Sequence, residues 1–228
     1  MKPHAADYGV MGRTPKTGWQ GVNLASYFRS LAVPVVIDTD VNAAAKGEFD
    51  AWGEPSGRLV YITVGTGIGG GVIDSGVVSL GTDHAEMGHI SARRHIGDLF
   101  EGVCPYHGDC VEGLASGPAI KARWGVNLSA LDGQHPAHEI ISDYLGQLCA
   151  NLLLTLTPHQ LVIGGGVLET PGLLHTVRRA THNLLNGYLA RFEQLSALEQ
   201  VIRTPRLGSD AGLAGAFSMA QGAVTTSD

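Results

Sequence analysis

Three residues near the middle of the chain have the types and the spacing of metal ligands. Cys104, His107 and Cys110 stand three positions apart, so one short loop can place sulfur, nitrogen and sulfur around a tetrahedral ion. A structural zinc site needs a fourth ligand, and His89 is the best candidate. Two other histidines are rivals for that position: His84 and His95. The alternative is a pair of buried free thiols beside an exposed histidine. We predict a zinc ion held by His89, Cys104, His107 and Cys110.

Two glutamates bracket the predicted metal loop. Glu86 precedes His89 by three residues, and Glu112 follows Cys110 by two. Carboxylates fixed on such a loop can accept hydrogen bonds from the hydroxyls of a sugar. Taken alone, each glutamate is more typical of a solvated surface charge.

A third chemical feature is an aspartate at the junction of a predicted strand and a predicted helix. Residues 33–37 form a short apolar run that predicts a buried strand, which delivers Asp38, Thr39 and Asp40 before a helix that begins near Asn42. Open α/β sheets present reactive groups at such junctions. A carboxylate there can accept the proton of a hydroxyl that attacks a γ-phosphate. The alternative is that Asp38 or Asp40 only caps the helix.

A glycine-rich run, residues 65–71, follows the strongest predicted strand, residues 59–64. Glycine backbone N–H groups can surround a phosphate, and Thr66 adds a hydroxyl donor. The run lacks the Gly-Lys-Ser/Thr of a Walker A motif. A dinucleotide fingerprint would open a helix, whereas Val72, Ile73 and Gly76 favour a hairpin. A purely structural hairpin is therefore the competing interpretation, and a dinucleotide-dependent oxidoreductase is disfavoured.

The remaining elements predict an α/β class with mixed sheets. A short buried strand over residues 161–163 leads into Gly164, Gly165 and Gly166. Residues 81–125 are predicted to be mostly irregular. Helices are predicted over residues 22–31, from residue 42 to 49, and over 140–157, 173–185 and 212–221.

Composition limits the classes of protein. Of the 228 residues, 44% are hydrophobic and 16% charged, which excludes a disordered or membrane-spanning chain. The net charge of −6 argues against a nucleic-acid partner. No secretory leader follows Met1, and three cysteines, two of them beside a histidine, favour a reduced, cytoplasmic protein with a metal site.

Four blocks of sequence together resemble the ROK family. They are residues 38–44, 65–71, 86–89 and 104–112, in that order and spacing. The Cys-Pro-x-His-Gly-x-Cys form of the metal loop, followed by residues 112–120, is similar to the fructokinase branch. The resemblance extends from about Tyr8 to Ala220.

The resemblance implies an actin/hexokinase-type fold with two ribonuclease-H-like lobes around a cleft. Residues 1–52 would be the remnant of the N-terminal lobe and residues 53–206 the C-terminal lobe with its zinc module. Residues 207–228 would form a C-terminal helix that returns to the region between the lobes. A homodimer is also implied.

The same resemblance implies ATP-dependent phosphorylation of a hexose, with fructose to fructose 6-phosphate as the first expectation. Asp40 would be the general base, and Mg²⁺ would accompany ATP. The implied sugar-binding residues are Thr39, Asn42, Glu86, His89 and Glu112. The implied ATP-binding residues are Gly65, Thr66, Gly67, Pro118, Gly164, Gly165 and Gly166.

One departure from the family pattern leads to a second hypothesis. ROK kinases open with an Asp-x-Gly-Gly-Thr phosphate motif, and the sequence contains no such motif, so the first lobe is expected to be incomplete. The DNA-binding helix-turn-helix of the repressor branch is absent as well. The alternative function is a zinc-stapled sugar-binding or dimerisation module without catalysis.

Overall fold

The fold is built on one mixed five-stranded sheet. The computed structural model describes residues 7–12 and 18–225. The strand order is β3-β2-β1-β4-β5. The strands are β1 (Arg58–Val64), β2 (Ile68–Asp74), β3 (Val77–Val78), β4 (Gln160–Gly164) and β5 (Ile202–Arg203). β1 and β2 form an antiparallel hairpin, and β4 lies parallel to β1 on its other side. The predicted hairpin is confirmed.

Seven α-helices surround this sheet in the described part of the chain. They are α1 (Asp40–Trp52), α2 (Val111–Ala115), α3 (Gly117–Trp124), α4 (Ala137–Thr155), α5 (Leu173–Leu185), α6 (Leu195–Val201) and α7 (Ala211–Thr225). The 3-10 helices of the described residues include Leu24–Leu31, where a helix was predicted, and Met87–His89, which carries His89. The helix predicted over residues 173–185 is confirmed with the same bounds as α5. α4 ends at Thr155, because Pro158 cannot continue a helix.

The two faces of the sheet bury different helices. Side chains alternate along β1, so Val60 and Ile62 enter the larger hydrophobic core together with α2, α4 and α5. Leu59 and Tyr61 point to the opposite face, where they pack with Phe49 of α1 and with the start of α7. The central strands are therefore covered on both sides.

Helices α1 and α7 approach each other unusually closely through glycine. A Cβ atom at Gly47 would collide with the carbonyl oxygen of Ala211, and one at Gly215 with that of Ala43. The buried carboxylate of Glu48 adds a polar anchor: its two oxygens accept the backbone N–H groups of Arg206 and Leu207, each at 2.8 Å. These contacts fix α1, and with it Asp40, relative to the sheet. The lobe boundaries that the sequence predicts after residues 52 and 206 remain a prediction.

Two local predictions are wrong. Residues 33–37 do not form a buried strand: the segment makes no ladder with any described strand, and Val33 and Val36 are exposed. Tyr8 contacts it instead, through a 2.6 Å hydrogen bond from the Ile37 N–H to the Tyr8 hydroxyl oxygen. The second is that residues 81–125 are mostly irregular: the end of this range is helical, since α2 and α3 lie there.

Among the described residues, no helix has both the length and the apolar character that crossing a membrane requires.

Candidate functional site

The four predicted metal ligands lie together. The candidate ligand atoms of His89, Cys104, His107 and Cys110 are all within 4.8 Å of one another. The His89 Nδ1 atom is 3.7 Å from the Cys104 sulfur and 3.5 Å from the Cys110 sulfur. The His107 Nδ1 atom is 3.7 Å from the Cys104 sulfur. Neither rival histidine belongs to this cluster.

These distances fit a tetrahedral zinc ion. Zn–S bonds of about 2.3 Å and Zn–N bonds of about 2.0–2.1 Å at tetrahedral angles separate sulfur from nitrogen by about 3.6 Å. Burial, with smaller contributions from Cys104 and Glu112, raises the pKa of the Cys110 thiol to about 11. A thiolate at this position therefore needs a cation beside it. The donor set, two cysteines and two histidines, is typical of structural zinc.

Local backbone geometry brings these ligands together. The Cys104 N–H donates to the Gly108 carbonyl at 3.2 Å, and the Gly108 N–H donates back at 2.9 Å, which closes a tight turn around His107. Gly108 has a φ of +62°, a conformation that favours glycine. Cys110 also caps α2, because its sulfur accepts the Gly113 N–H at 3.4 Å.

His89 and Glu112 extend from the metal cluster to a second group of polar atoms. While Nδ1 of His89 faces the sulfurs, its Nε2 lies 3.8 Å from Oε1 of Glu112. The other Glu112 oxygen, Oε2, accepts the Ile68 N–H at 2.8 Å. Glu112 therefore bridges the metal cluster and the start of β2. Oε1 retains the capacity to accept further hydrogen bonds.

Glu86 has a different environment. Its side chain is 59% exposed and pairs with Nε2 of His84 at 2.8 Å. Its backbone carbonyl accepts the His89 N–H at 3.0 Å, so Glu86 begins the 3-10 helix that carries this ligand.

The residues around Asp40 form the N-terminus of α1. Thr39 caps the helix by accepting the Asn42 N–H at 3.1 Å. Asp38 accepts the side-chain N–H of Asn42 at 2.6 Å, and Asn42 is buried. Asp40 is exposed at the first position of the helix, where Oδ1 accepts the N–H of Val41 at 3.0 Å. Thr39, not an aspartate, is thus the capping residue, and the Asp40 carboxylate faces solvent.

The glycine run divides into two parts with different surroundings. Gly69, Gly70 and Gly71 belong to β2, and their missing side chains allow close packing. A Cβ atom at Gly69 would lie 3.0 Å from Val41, and one at Gly71 would lie 2.7 Å from the Asn42 side-chain oxygen. Gly69 and Gly71 bring the start of α1 against the sheet, whereas a Cβ atom at Gly70 would lie 2.5 Å from the Met87 sulfur.

The first part of the run is a turn, Gly65 to Gly67. The Gly65 N–H donates to the Gly67 carbonyl at 2.9 Å, and Thr66 at its tip is exposed. Among the described residues, no atom lies within 4 Å of a Cβ built at Gly65. This turn leaves backbone accessible to a ligand.

The turn after β4 lies beside the turn after β1. The two strands are parallel and pair Thr63 with Gly164, so their carboxyl ends meet at one edge. Gly165 has a φ of +92°, and a Cβ at Gly166 would have no described atom within 4 Å. Two accessible glycine turns therefore stand side by side, the position at which α/β sheets bind ligands.

Helix α3 completes this edge. The N–H of Gly117, its first residue, donates to the Gly65 carbonyl at 2.8 Å. Pro118 follows at an exposed position in the first turn, where proline costs no helical hydrogen bond.

A buried polar network that sequence reasoning missed anchors the segment before the metal loop. Nη1 of Arg123 lies 3.1 Å from Oδ2 of Asp98, and both side chains are almost fully buried. Tyr144 donates its hydroxyl proton to Asp98 at 2.5 Å, and the Phe100 ring stacks 4.4 Å from the Arg123 guanidinium carbon. The network joins residues 98–100 to α3 and α4. The residues of this network are distant from one another in sequence. The feature of the sequence that could have indicated it is Tyr144, a tyrosine on the apolar side of α4.

The ROK family model matches residues 5–223. Several bacterial fructokinases are 36–44% identical to this chain over aligned stretches of 186–226 residues. The fructokinase of Zymomonas mobilis subsp. mobilis is 44% identical over 219 residues, which cover 93% of this chain and 71% of that protein.

Two solved structures have the same fold. The ROK hexokinase of Thermus thermophilus has a TM-score of 0.73 at 30% identity and covers 92% of this chain and 72% of its own. A ROK family glucokinase of Streptomyces griseus, crystallised with glucose and AMPPNP, has a TM-score of 0.67 at 25% identity and covers 90% of this chain and 74% of its own.

The chain belongs to the ROK family, among its sugar kinases. The predicted α/β fold of the hexokinase type is confirmed by the same likenesses.

Proposed function

We propose that this protein transfers the γ-phosphoryl group of ATP to a hexose, with fructose as substrate and fructose 6-phosphate as product. The observation that carries the proposal is the position of Glu112. Its carboxylate lies between His89 of the metal cluster and the Ile68 N–H beside the glycine turn. A sugar held there would stand next to backbone that can bind phosphate. The identity with fructokinases supports fructose.

In this proposal Glu112 and His89 hold the sugar. Oε1 of Glu112 accepts hydroxyl protons, and Nε2 of His89 faces the same space. Glu86, which precedes the 3-10 helix of His89, and Thr39 and Asn42 at the start of α1 are the other proposed sugar-binding residues. Zinc, bound by His89, Cys104, His107 and Cys110, supplies rigidity to the loop-rich segment around Glu112.

The nucleotide would occupy the edge where the two glycine turns meet. Gly65, Thr66 and Gly67 would hold its phosphates, while Pro118 and Gly164, Gly165 and Gly166 would line the adenosine side. Support comes from the open backbone at Gly65 and Gly166 and from the AMPPNP bound by the Streptomyces griseus glucokinase. Mg²⁺ bound with ATP would screen the phosphate charges.

Asp40 is the proposed general base. Its exposed carboxylate begins α1, and Val41 beside it packs on Gly69 of the strand that follows the glycine turn. Taking the proton of the attacking hydroxyl contributes typically about 10²–10⁴-fold to the rate. We further propose that the protein acts in the cytoplasm as a homodimer.

The test is a coupled kinase assay with ATP and fructose, mannose or glucose. We expect turnover with fructose to exceed turnover with the other two sugars. Asp40→Asn should lower kcat by about 10²–10⁴-fold without unfolding the protein. Asp50→Asn is the matched control, because Asp50 lies on the same helix and pairs with Lys46 on its surface. Sugar binding without any turnover would favour the non-catalytic module, and full activity of Asp40→Asn would remove Asp40 from the mechanism.

A further inference from the structure

We infer that Gly67 and the backbone N–H of Ile68 are positioning elements for the sugar, acting through the carboxylate of Glu112. This inference rests on the proposed function, in which Glu112 holds sugar hydroxyls. It extends that function by assigning the glycine turn a second task besides binding phosphate.

The carboxylate of Glu112 has two oxygens with different tasks. Oε2 accepts the Ile68 N–H at 2.8 Å, which fixes the plane of the carboxylate. Oε1 then faces Nε2 of His89 at 3.8 Å, which is too long for a strong hydrogen bond. A sugar hydroxyl between these two atoms can donate to Oε1 and accept from Nε2.

Only glycine at position 67 permits this arrangement. A Cβ atom at Gly67 would lie 2.7 Å from Oε2 of Glu112, inside van der Waals contact. The backbone of Gly67 does not have a positive φ, so alanine introduces no strain of its own. The atom that must move is the end of a flexible side chain. Gly67→Ala should therefore displace the Glu112 carboxylate and leave the fold intact.

The first test compares alanine at Gly67 with alanine at Gly133, a glycine outside the proposed site. Gly67→Ala should raise the KM for the hexose by about 10–100-fold, the loss expected for one hydrogen bond to a charged group. Gly133→Ala adds a Cβ that contacts no described atom, so the KM for the hexose should stay within about twofold of the wild type. The melting temperature and the zinc content of both variants should match the wild type.

A double-mutant cycle then shows whether Gly67 acts through Glu112. In a Glu112→Ala background no carboxylate remains to be displaced. Adding Gly67→Ala should then change hexose affinity, measured by calorimetry, by less than about twofold. Equal KM values for Gly67→Ala and Gly133→Ala, or additive losses in the cycle, would overturn the inference.

An NMR measurement on the protein without sugar separates this inference from the proposed function. In Glu112→Ala, the Ile68 N–H loses its acceptor, so it should exchange with solvent faster and its proton resonance should move upfield. The Gly117 N–H, which donates to Gly65 in the same region, serves as an internal reference and should not change. If the wild type phosphorylates no hexose but Ile68 responds, only the proposed function fails. An unchanged Ile68 resonance and exchange rate refute the positioning role, even if the enzyme is active.

Discussion

The buried carboxylate of Glu48 allows a stability prediction worked from individual hydrogen bonds. Both of its oxygens accept backbone N–H groups, from Arg206 and Leu207, each at 2.8 Å. A hydrogen bond to a charged group contributes about 1.5–3 kcal/mol. Glu48→Gln keeps one acceptor and should lower the free energy of unfolding by about 1.5–3 kcal/mol. Glu48→Ala loses both acceptors and should lower it by about 3–5 kcal/mol.

Urea unfolding followed by circular dichroism measures both values. With a slope of about 2 kcal/mol per molar urea, Glu48→Gln should shift the midpoint down by about 1 M. Glu54→Gln is the control, since Glu54 is exposed and its carboxylate accepts from the exposed Ser56 hydroxyl at 3.3 Å, so its midpoint should not move measurably. Equal midpoints for Glu48→Ala and Glu54→Gln would refute the claim that Glu48 anchors α1.

Two further predictions concern the metal cluster and the polar network beside it. We expect about one zinc ion per chain by elemental analysis, and replacing Cys104 and Cys110 together by serine should abolish it. Cys149→Ala is the control and should retain the zinc, because Cys149 lies outside the cluster. Burial, followed by the hydrogen bond to Asp98, raises the pKa of Tyr144 to about 12 from 10.0. The neutral phenol is therefore favoured in the fold, and its contribution of about 2–3 kcal/mol, fully present below pH 10, should be lost as the pH rises towards 12. Tyr144→Phe should therefore weaken the pH dependence of the unfolding free energy between pH 10 and 12. An equally steep decline of the unfolding free energy in this variant would contradict the assignment of the raised pKa to Tyr144.

The grouping of the four candidate metal ligands was predictable because its determinants are local. Three of its four ligands lie within seven residues, and their types and spacing already define a tetrahedral donor set. His89 needed a choice among three histidines, which the sequence alone did not decide. The geometry selects it, since its Nδ1 atom faces both cysteine sulfurs.

The segment over residues 33–37 shows why an apolar run is ambiguous. A short run of this kind is typical of a buried strand, but a strand also needs a neighbour to receive its hydrogen bonds. The run identifies no such neighbour, and Pro34 at its second position removes one donor. In the structure the segment has no regular secondary structure and pairs with no described strand.

The glycine run shows a different limit. Seven consecutive positions with five glycines suggest phosphate binding, but the sequence cannot distinguish a glycine that faces a ligand from one that faces another backbone. Gly69 and Gly71 face α1, which reaches the sheet only because they lack side chains. Gly65 is open, and Gly67 faces a carboxylate. The missing information is the identity of the partner across the turn, which lies more than forty residues away at Glu112.

The connection from the metal cluster to the sheet explains how a loop-rich segment can hold a precise site. Glu112 is constrained at both ends. Its backbone follows Cys110, a candidate metal ligand that also caps α2, and its carboxylate is held by the Ile68 N–H. A side chain fixed at the backbone alone would sample several rotamers, and the entropy lost on binding would reduce sugar affinity. Because the turn already fixes the carboxylate in the folded protein, this entropy is lost during folding and not when sugar binds. In the proposed site, a zinc ion would fix the helix that carries Glu112, and the Ile68 N–H fixes its carboxylate, so both would constrain the same oxygen atoms.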